Sequence, residues 1–187
     1  MQPILVLASV MGGREDVAET MEQALQKRQP IPADDVEALF AAYADMVYRI
    51  AFLRTKSGAD ADDVTQDVFL RCMKRKPVWN DREHQKAWFL TVTINCTKTL
   101  LTSAWRRHTV PEVDGVLHMM EHDTDVYAAV LALPEKYRTA VHLHYYEGYD
   151  MQEIAKLMQS NPNTVKSYLF RARGLLREQL KGEYFDV

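Results

Sequence analysis

Apolar residues in this chain recur three and four positions apart, the spacing of one face of a helix, and no stretch shows the two-residue alternation of a half-buried strand. Val36, Leu39, Phe40, Tyr43, Val47, Ile50 and Ala51 mark the first such face. Asp34 with Glu37 three residues on predicts its start, and Ser57-Gly58 its end. A second helix is expected from Asp60, read as its cap, to about Arg75, with Asp62 and Asp63 near the positive end of the helix dipole. Lys74, Arg75 and Lys76 sit at the negative end, and Pro77 closes it. A third, longer helix runs from about Glu83 to Trp105 through Trp88, Phe89, Val92, Ile94 and Cys96. Together these three can bury a small core.

The pattern lapses and then returns. TVPEVDGVLHMMEHDTD, residues 109–125, holds five acids and no Lys or Arg, which reads as an acidic linker. Beyond it the spacing predicts a helix around Tyr127–Leu131 and another from Glu135 to Tyr146. Asp150 and Glu153 then make a capping-box pattern for a short helix to Met158. Asn161-Pro162 suits the cap and first position of a last helix running to about Leu180. A short helix, a tight turn and a longer basic helix form a helix-turn-helix pattern. The expected fold class is therefore all-α: two small helical domains, 33–108 and 126–187, a flexible linker between them, and a leader over residues 1–32. The leader's PILVLASVMGG lacks a basic residue ahead of its apolar run, so a flexible or weakly helical leader fits better than a signal peptide.

Composition changes little of this. Of 187 residues, 47% are apolar and 26% charged, an ordinary globular balance that excludes wholesale disorder. Cys72 and Cys96 stand alone, at no metal-ligand spacing, and read as thiols of a reducing cytoplasm. No cofactor is expected. Charge is more informative. The formal net charge is −3, yet NPNTVKSYLFRAR, residues 161–173, carries Lys166, Arg171 and Arg173 and no acid.

With Val165, Leu169, Ala172 and Leu176 on one face, the other faces of that helix offer Thr164, Lys166, Ser167, Phe170, Arg171 and Arg173. Thr164, Ser167 and Lys166 suit base edges, and the arginines suit phosphate or guanine. The second helix is the acidic counterpart. Asp63 and Asp67 share a face, Gln66 and Phe69 lie close by, and an acidic face around an exposed aromatic suits a basic protein partner. On the third helix Trp88, Thr91, Asn95, Lys98, Thr99, Trp105, Arg106 and Arg107 mix ring faces, polar groups and cations, which suits single-stranded nucleic acid. HLHYY, residues 142–146, raises a catalytic alternative. Its histidines at i,i+2 point apart on a helix, no phosphate loop or nucleophile elbow accompanies them, and helix-packing aromatics account for it better.

These segments together resemble the extracytoplasmic-function (ECF) group of bacterial RNA polymerase sigma factors, over roughly residues 35–180. DADDVTQDVFLRCMKRK and AWFLTVTINCTKTLLTSAWRR are similar to the family's region two, expected as a three- or four-helix bundle. LPEKYRTAVHLHYYEGYDMQEIAKLMQSNPNTVKSYLFRARGLL resembles region four almost end to end. The resemblance implies that Asp63, Gln66, Asp67 and Phe69 contact core RNA polymerase. It places Trp88, Asn95, Arg106 and Arg107 on the promoter −10 element, with Val78, Trp79, Asn80, Asp81 and Arg82 in the loop that receives a flipped base. Thr164, Lys166, Ser167, Arg171 and Arg173 fall on the −35-reading helix. It further implies an anti-sigma factor, often membrane-bound, as inhibitor, no small-molecule substrate, and no enzymatic activity of the chain by itself. Thr65 stands where an apolar residue is commoner, and Gln159-Ser160 where the family often has Gly and an apolar residue. A helix-turn-helix regulator with a helical sensing or dimerisation domain is the alternative, although it has no need of the acidic second helix.

Overall fold

The computed structural model describes residues 29–103 and 124–184. These form seven helices, with no strand among them: α1 Val36–Thr55, α2 Gly58–Arg75, α3 Arg82–Thr102, α4 Thr124–Ala132, α5 Glu135–Tyr145, α6 Met151–Leu157 and α7 Pro162–Tyr184. The leader through residue 28 and most of the acidic linker lie outside the described residues.

Short polar side chains start most of the helices. The α1 cap is Asp35, whose carboxylate accepts from the Ala38 N–H, one residue beyond the expected Asp34. On α2 the cap is Ser57, accepting from the Asp60 N–H at 3.2 Å, so the helix opens at Gly58 and Asp60 sits inside the first turn. Asp81 caps α3 through the His84 N–H at 2.7 Å. The expected capping box closes on α6, with Asp150 and Glu153 each accepting from the other's backbone. Asn161 accepts from the Thr164 N–H at 2.8 Å, leaving Pro162 first in α7. At the other ends of α1 and α2, Lys56 and Lys76 take left-handed backbone and donate to the Phe52 and Cys72 carbonyls.

In the first half α1, α2 and α3 pack around Phe89, which is fully buried. Its ring stacks on Tyr43 at 4.7 Å and meets Phe69 at 5.3 Å and the edge of Trp88 at 5.1 Å. Two expectations change here. Phe69 is buried, not exposed, because it faces this aromatic core; Phe40, assigned to the core face of α1, is instead half exposed and leans on Phe69 at 5.0 Å. Thr65 occupies a buried position by returning its hydroxyl to the Ala61 carbonyl at 2.7 Å, which is how a polar residue fits where an apolar one is commoner. The chain ahead of α1 is strapped on by buried Gln85, which donates to the Ile31 carbonyl and accepts from the Ile31 N–H and the Tyr43 hydroxyl.

In the second half α5, α6 and α7 bury Leu143, Ile154, Val165 and Leu169 together, and α4 covers α7 with Ala129 and Val130. Gly148 makes the turn from α5 to α6 at φ +79°. None of the described residues lies within 4 Å of where its β-carbon would be, so the constraint is the backbone and not space. Gly148→Ala is therefore expected to lower unfolding free energy by about 1–2 kcal/mol, the cost of left-handed backbone in a residue with a side chain, read from urea denaturation. The aromatic account of HLHYY holds in part: His142 is buried and stacks on Tyr146 at 5.1 Å, but Tyr145 and Tyr146 are more than half exposed.

The two halves are not separate. Buried apolar residues form one continuous cluster through both, and hydrogen bonds and an ion pair also cross between them. Arg54, 5% exposed, donates to Thr97 at 2.6 Å and across the seam to Thr139 at 2.9 Å, and pairs with Glu135 at 2.5 Å. Arg138, also 5% exposed, donates back to the carbonyls of Leu53 and Arg54 at the end of α1, and to that of Leu133. Burial lowers the pKa of both guanidiniums, although neither gives up its proton in a protein.

Candidate functional site

Three surfaces carry the polar residues singled out above, and each is set by which side of a helix the core takes. On α7 Val165, Leu169 and Ala172 are buried, with Leu176 packed beside them, as expected. At about 100° per residue the opposite side centres on Asn163, Ser167 and Phe170, flanked by Lys166 and Arg173 on one edge and Thr164 and Arg171 on the other. All are exposed except Thr164, which is half-buried under the cap. Arg171 donates to the Tyr137 hydroxyl of α5 at 3.4 Å. Phe170 is 72% exposed at the middle of this face, where none of the described residues covers it. Its apolar ring at a polar register position was the signal for a site residue.

The second surface is the outer stripe of α3 with the loop before it. Trp88, Thr91 and Asn95 are half-buried along the stripe, and Lys98, Thr99 and Thr102 are exposed. Helix α3 is rich in threonine without wasting polar groups: Thr91, Thr93, Thr97, Thr99 and Thr102 each return a hydroxyl to the carbonyl four residues back. In the loop Trp79 is buried against Phe89 and Trp88, so it is a support and not a free platform. Asp81 caps α3, and Arg82 donates to the Gln29 carbonyl at 2.6 Å. That leaves Val78, 89% exposed, and Asn80 facing outward. Between this loop and the Pro30–Asp34 strap lies an open hollow of about 410 Å³, with Val78 and Trp79 on one wall. Arg106 and Arg107, like Trp105, lie outside the described residues.

The third surface is α2. Asp62, Asp63 and Gln66 are exposed, and Asp67 holds Arg71 one turn on, at 2.8 Å. This pair relieves the like-charge neighbour on its own face. The stripe continues through Leu70, 49% exposed, and Met73, 45% exposed, with Phe40 alongside from α1. The apolar centre is therefore Phe40, Leu70 and Met73, lying over the buried Phe69.

Near the seam Glu147 accepts from Lys86 at 2.9 Å and lies 3.3 Å from His142 Nε2. The hydrogen bond from His142, with help from Lys86 and against burial, lowers its pKa from the usual 4.5 to about 2. Stability from this carboxylate is present above about pH 4.5 and lost as pH falls towards 2. Melting temperature should therefore fall over that window more steeply in the parent than in Glu147→Gln; equal slopes would remove Glu147 from the balance. Both cysteines are buried, and burial raises the Cys96 thiol to about 11, far from a reactive thiolate. Among the described residues no group of three acids, histidines or cysteines could hold a metal ion, and no helix is long and apolar enough to cross a membrane.

Comparison with known proteins agrees with this arrangement. The sigma-70 region 2 model matches residues 39–107, which hold α1 to α3, and the sigma-70 region 4 model matches residues 124–176, which hold the helix-turn-helix half. RNA polymerase sigma factor SigV of Bacillus subtilis is 29% identical over 143 residues, covering 73% of this chain and 85% of that protein. ECF RNA polymerase sigma factor SigW of the same organism is 23% identical over 185 residues, covering 86% of this chain and 99% of its own. The fold is also that of the Bartonella quintana sigma factor RpoE, solved in complex with the anti-sigma factor NepR, at a TM-score of 0.62 and 20% identity, over 80% of this chain and 98% of that one. An acidic α2 face, an aromatic and polar α3 stripe and a basic helix-turn-helix, in the order of both region models and with ECF sigma factors among the relatives, make this chain a member of the ECF group of RNA polymerase sigma factors, which direct promoter-specific initiation of transcription.

Proposed function

We propose that the three surfaces divide the work of initiation. The α2 stripe, Asp63, Gln66 and Asp67 with Phe40, Leu70 and Met73, docks on core polymerase. Phe69 belongs to it as the buried support under that patch. The α3 stripe takes the single-stranded −10 element: Trp88, Asn95 and Lys98 along the helix and Val78 and Asn80 at the mouth of the hollow, joined by Arg106 and Arg107, which follow α3 in the sequence. Trp79, Asp81 and Arg82 hold the loop in place. A base drawn from the stack costs a few kcal/mol, and a hollow beside Val78 and Trp79 is a place where contacts recover it. The face of α7, with Lys166, Ser167, Arg171 and Arg173, reads the −35 element in the major groove, and Phe170 adds an apolar contact suited to thymine methyl groups. Residues 33–108 thus serve polymerase and the −10 element, residues 126–187 the −35 element, and the acidic segment 109–125 joins them.

Such a chain works in the cytoplasm as a subunit of polymerase, without chemistry of its own. An anti-sigma factor would inhibit it by covering the α2 and α7 faces. The single observation that carries this reading is the sequestration of charge: acids on the outer face of α2, cations on the outer face of α7. Photocrosslinkers placed at Val78 and at Ser167 in the holoenzyme test it. The first should mark the non-template strand near −10 and the second the duplex near −35. Both crosslinking to the same DNA segment would sink the division of labour.

A further inference from the structure

Residues 30–34 lie ahead of both matched regions, yet they are fixed to the first half and form one wall of its hollow. Fully buried Gln85 holds Ile31 by both backbone groups, and Arg82 holds the Gln29 carbonyl. A turn follows, in which the Asp35 N–H donates to the Pro32 carbonyl at 3.1 Å and the Val36 N–H to the Asp34 carbonyl at 3.0 Å. Asp34 is thereby set on the strap side of the hollow, facing a loop wall that begins with Lys76. Both side chains are exposed, and neither has an ion-pair or hydrogen-bond partner among the described residues. Ile31, Pro32, Pro77 and Val78 make the rest of the lining apolar. Trp79 lies on the loop wall, 7% exposed, and its indole N–H finds no acceptor among the described residues. Buried polar groups without a partner are rare, and one beside a hollow fits a ligand that brings an acceptor.

An apolar slot with a carboxylate on one wall and an ammonium on the other suits a flat heterocycle that carries a donor next to an acceptor. Cytosine and adenine have this edge, an exocyclic amino group beside an unprotonated ring nitrogen. Thymine and guanine reverse both atoms, with a carbonyl oxygen in place of the amino group and an N–H in place of the bare nitrogen. A carboxylate repels the first, and an ammonium has nothing to donate to at the second. We propose that the strap is the selective wall of the base hollow. Asp34 accepts from the amino group of a flipped cytosine or adenine, Lys76 donates to its ring nitrogen, and thymine and guanine are rejected. The inference rests on the assignment of the hollow to a −10 base, and it gives a reading role to a segment outside both region models.

A promoter whose start site depends on the protein tests this, made in four versions that differ only at the −10 nucleotide crosslinked from Val78. Relative transcript yields are read with holoenzyme carrying the parent or Asp34→Asn. The parent should favour cytosine or adenine over thymine and guanine by about tenfold, the scale of one base-reading contact. An amide both accepts and donates, so Asp34→Asn should bring the four yields to within about twofold of one another. Comparing bases within each protein cancels the effect of the lost charge. Asp35, not Asp34, caps α1, so the variant should keep its helix content, checked by circular dichroism. A parent that shows no preference or favours thymine or guanine, or a preference that Asp34→Asn leaves unchanged, would overturn the selective strap alone. A Val78 crosslinker that marks no −10 base would remove the assignment of the hollow, and the strap's role with it.

Discussion

With Asp63 and Asp67 both changed to arginine, the protein should no longer bind core polymerase, while its helix content and melting temperature stay close to the parent's. Both residues lie on the outer face of α2, away from Phe89 and the aromatic core. The change removes the exposed i,i+4 bridge from Asp67 to Arg71, worth about 0.3–0.5 kcal/mol on a helix surface. The effect on docking is far larger, because the partner's cations then meet cations, and like charges brought together across an interface cost several kcal/mol. Co-purification with core polymerase and competition against an unaltered copy would measure it. The apolar part of the face carries a companion expectation: Leu70→Arg should fail equally, although it removes no negative charge. Retention of full binding by both variants would move the docking surface away from α2.

The second large effect concerns the −35 element. Changing both Phe170 and Arg171 to alanine should weaken binding of a −35 duplex by roughly 10²-fold or more, since each base-reading side chain is worth about 1–3 kcal/mol. The weakening should depend on sequence, greatest on the preferred element and small on a scrambled duplex. Arg173→Ala, at the flank of the face, should weaken both duplexes alike and reduce the salt dependence of binding, as the removal of a phosphate-binding cation does. The fold should survive all three changes, since none of these side chains is buried. A uniform effect of the double variant on every sequence would make the centre of α7 a backbone-binding surface only.

Much of this was legible in the chain because it depends on local rules. Helical spacing, the Asp150–Glu153 box and Asn161-Pro162 locate the helix-turn-helix from residues that touch one another in sequence, and the structure keeps all of them. What was not legible depends on the direction in which a helix faces its neighbours. Phe40 and Phe69 are both aromatics on amphipathic helices, and only the packing of α1 on α2 decides that Phe69 goes inside and Phe40 stays out. Trp79 reads as a residue of an exposed loop, yet it is drawn under that loop by Trp88 and Phe89. The seam was the least visible element. Arg54 and Arg138 are 84 positions apart and look like ordinary surface arginines until the Arg138 guanidinium is seen donating to the Arg54 carbonyl. Gln159 likewise looked like a plain departure from the family's turn, and only the structure shows its side chain donating to Asn95 of α3.

The most direct measurement is transcription from a genomic promoter library with core polymerase, with and without this protein, read by mapping 5′ ends. The account predicts a set of start sites that appear only with the protein present, share a two-part promoter, and vanish with Asp63→Arg/Asp67→Arg. No start site dependent on the added protein, together with no association with core polymerase, would contradict it.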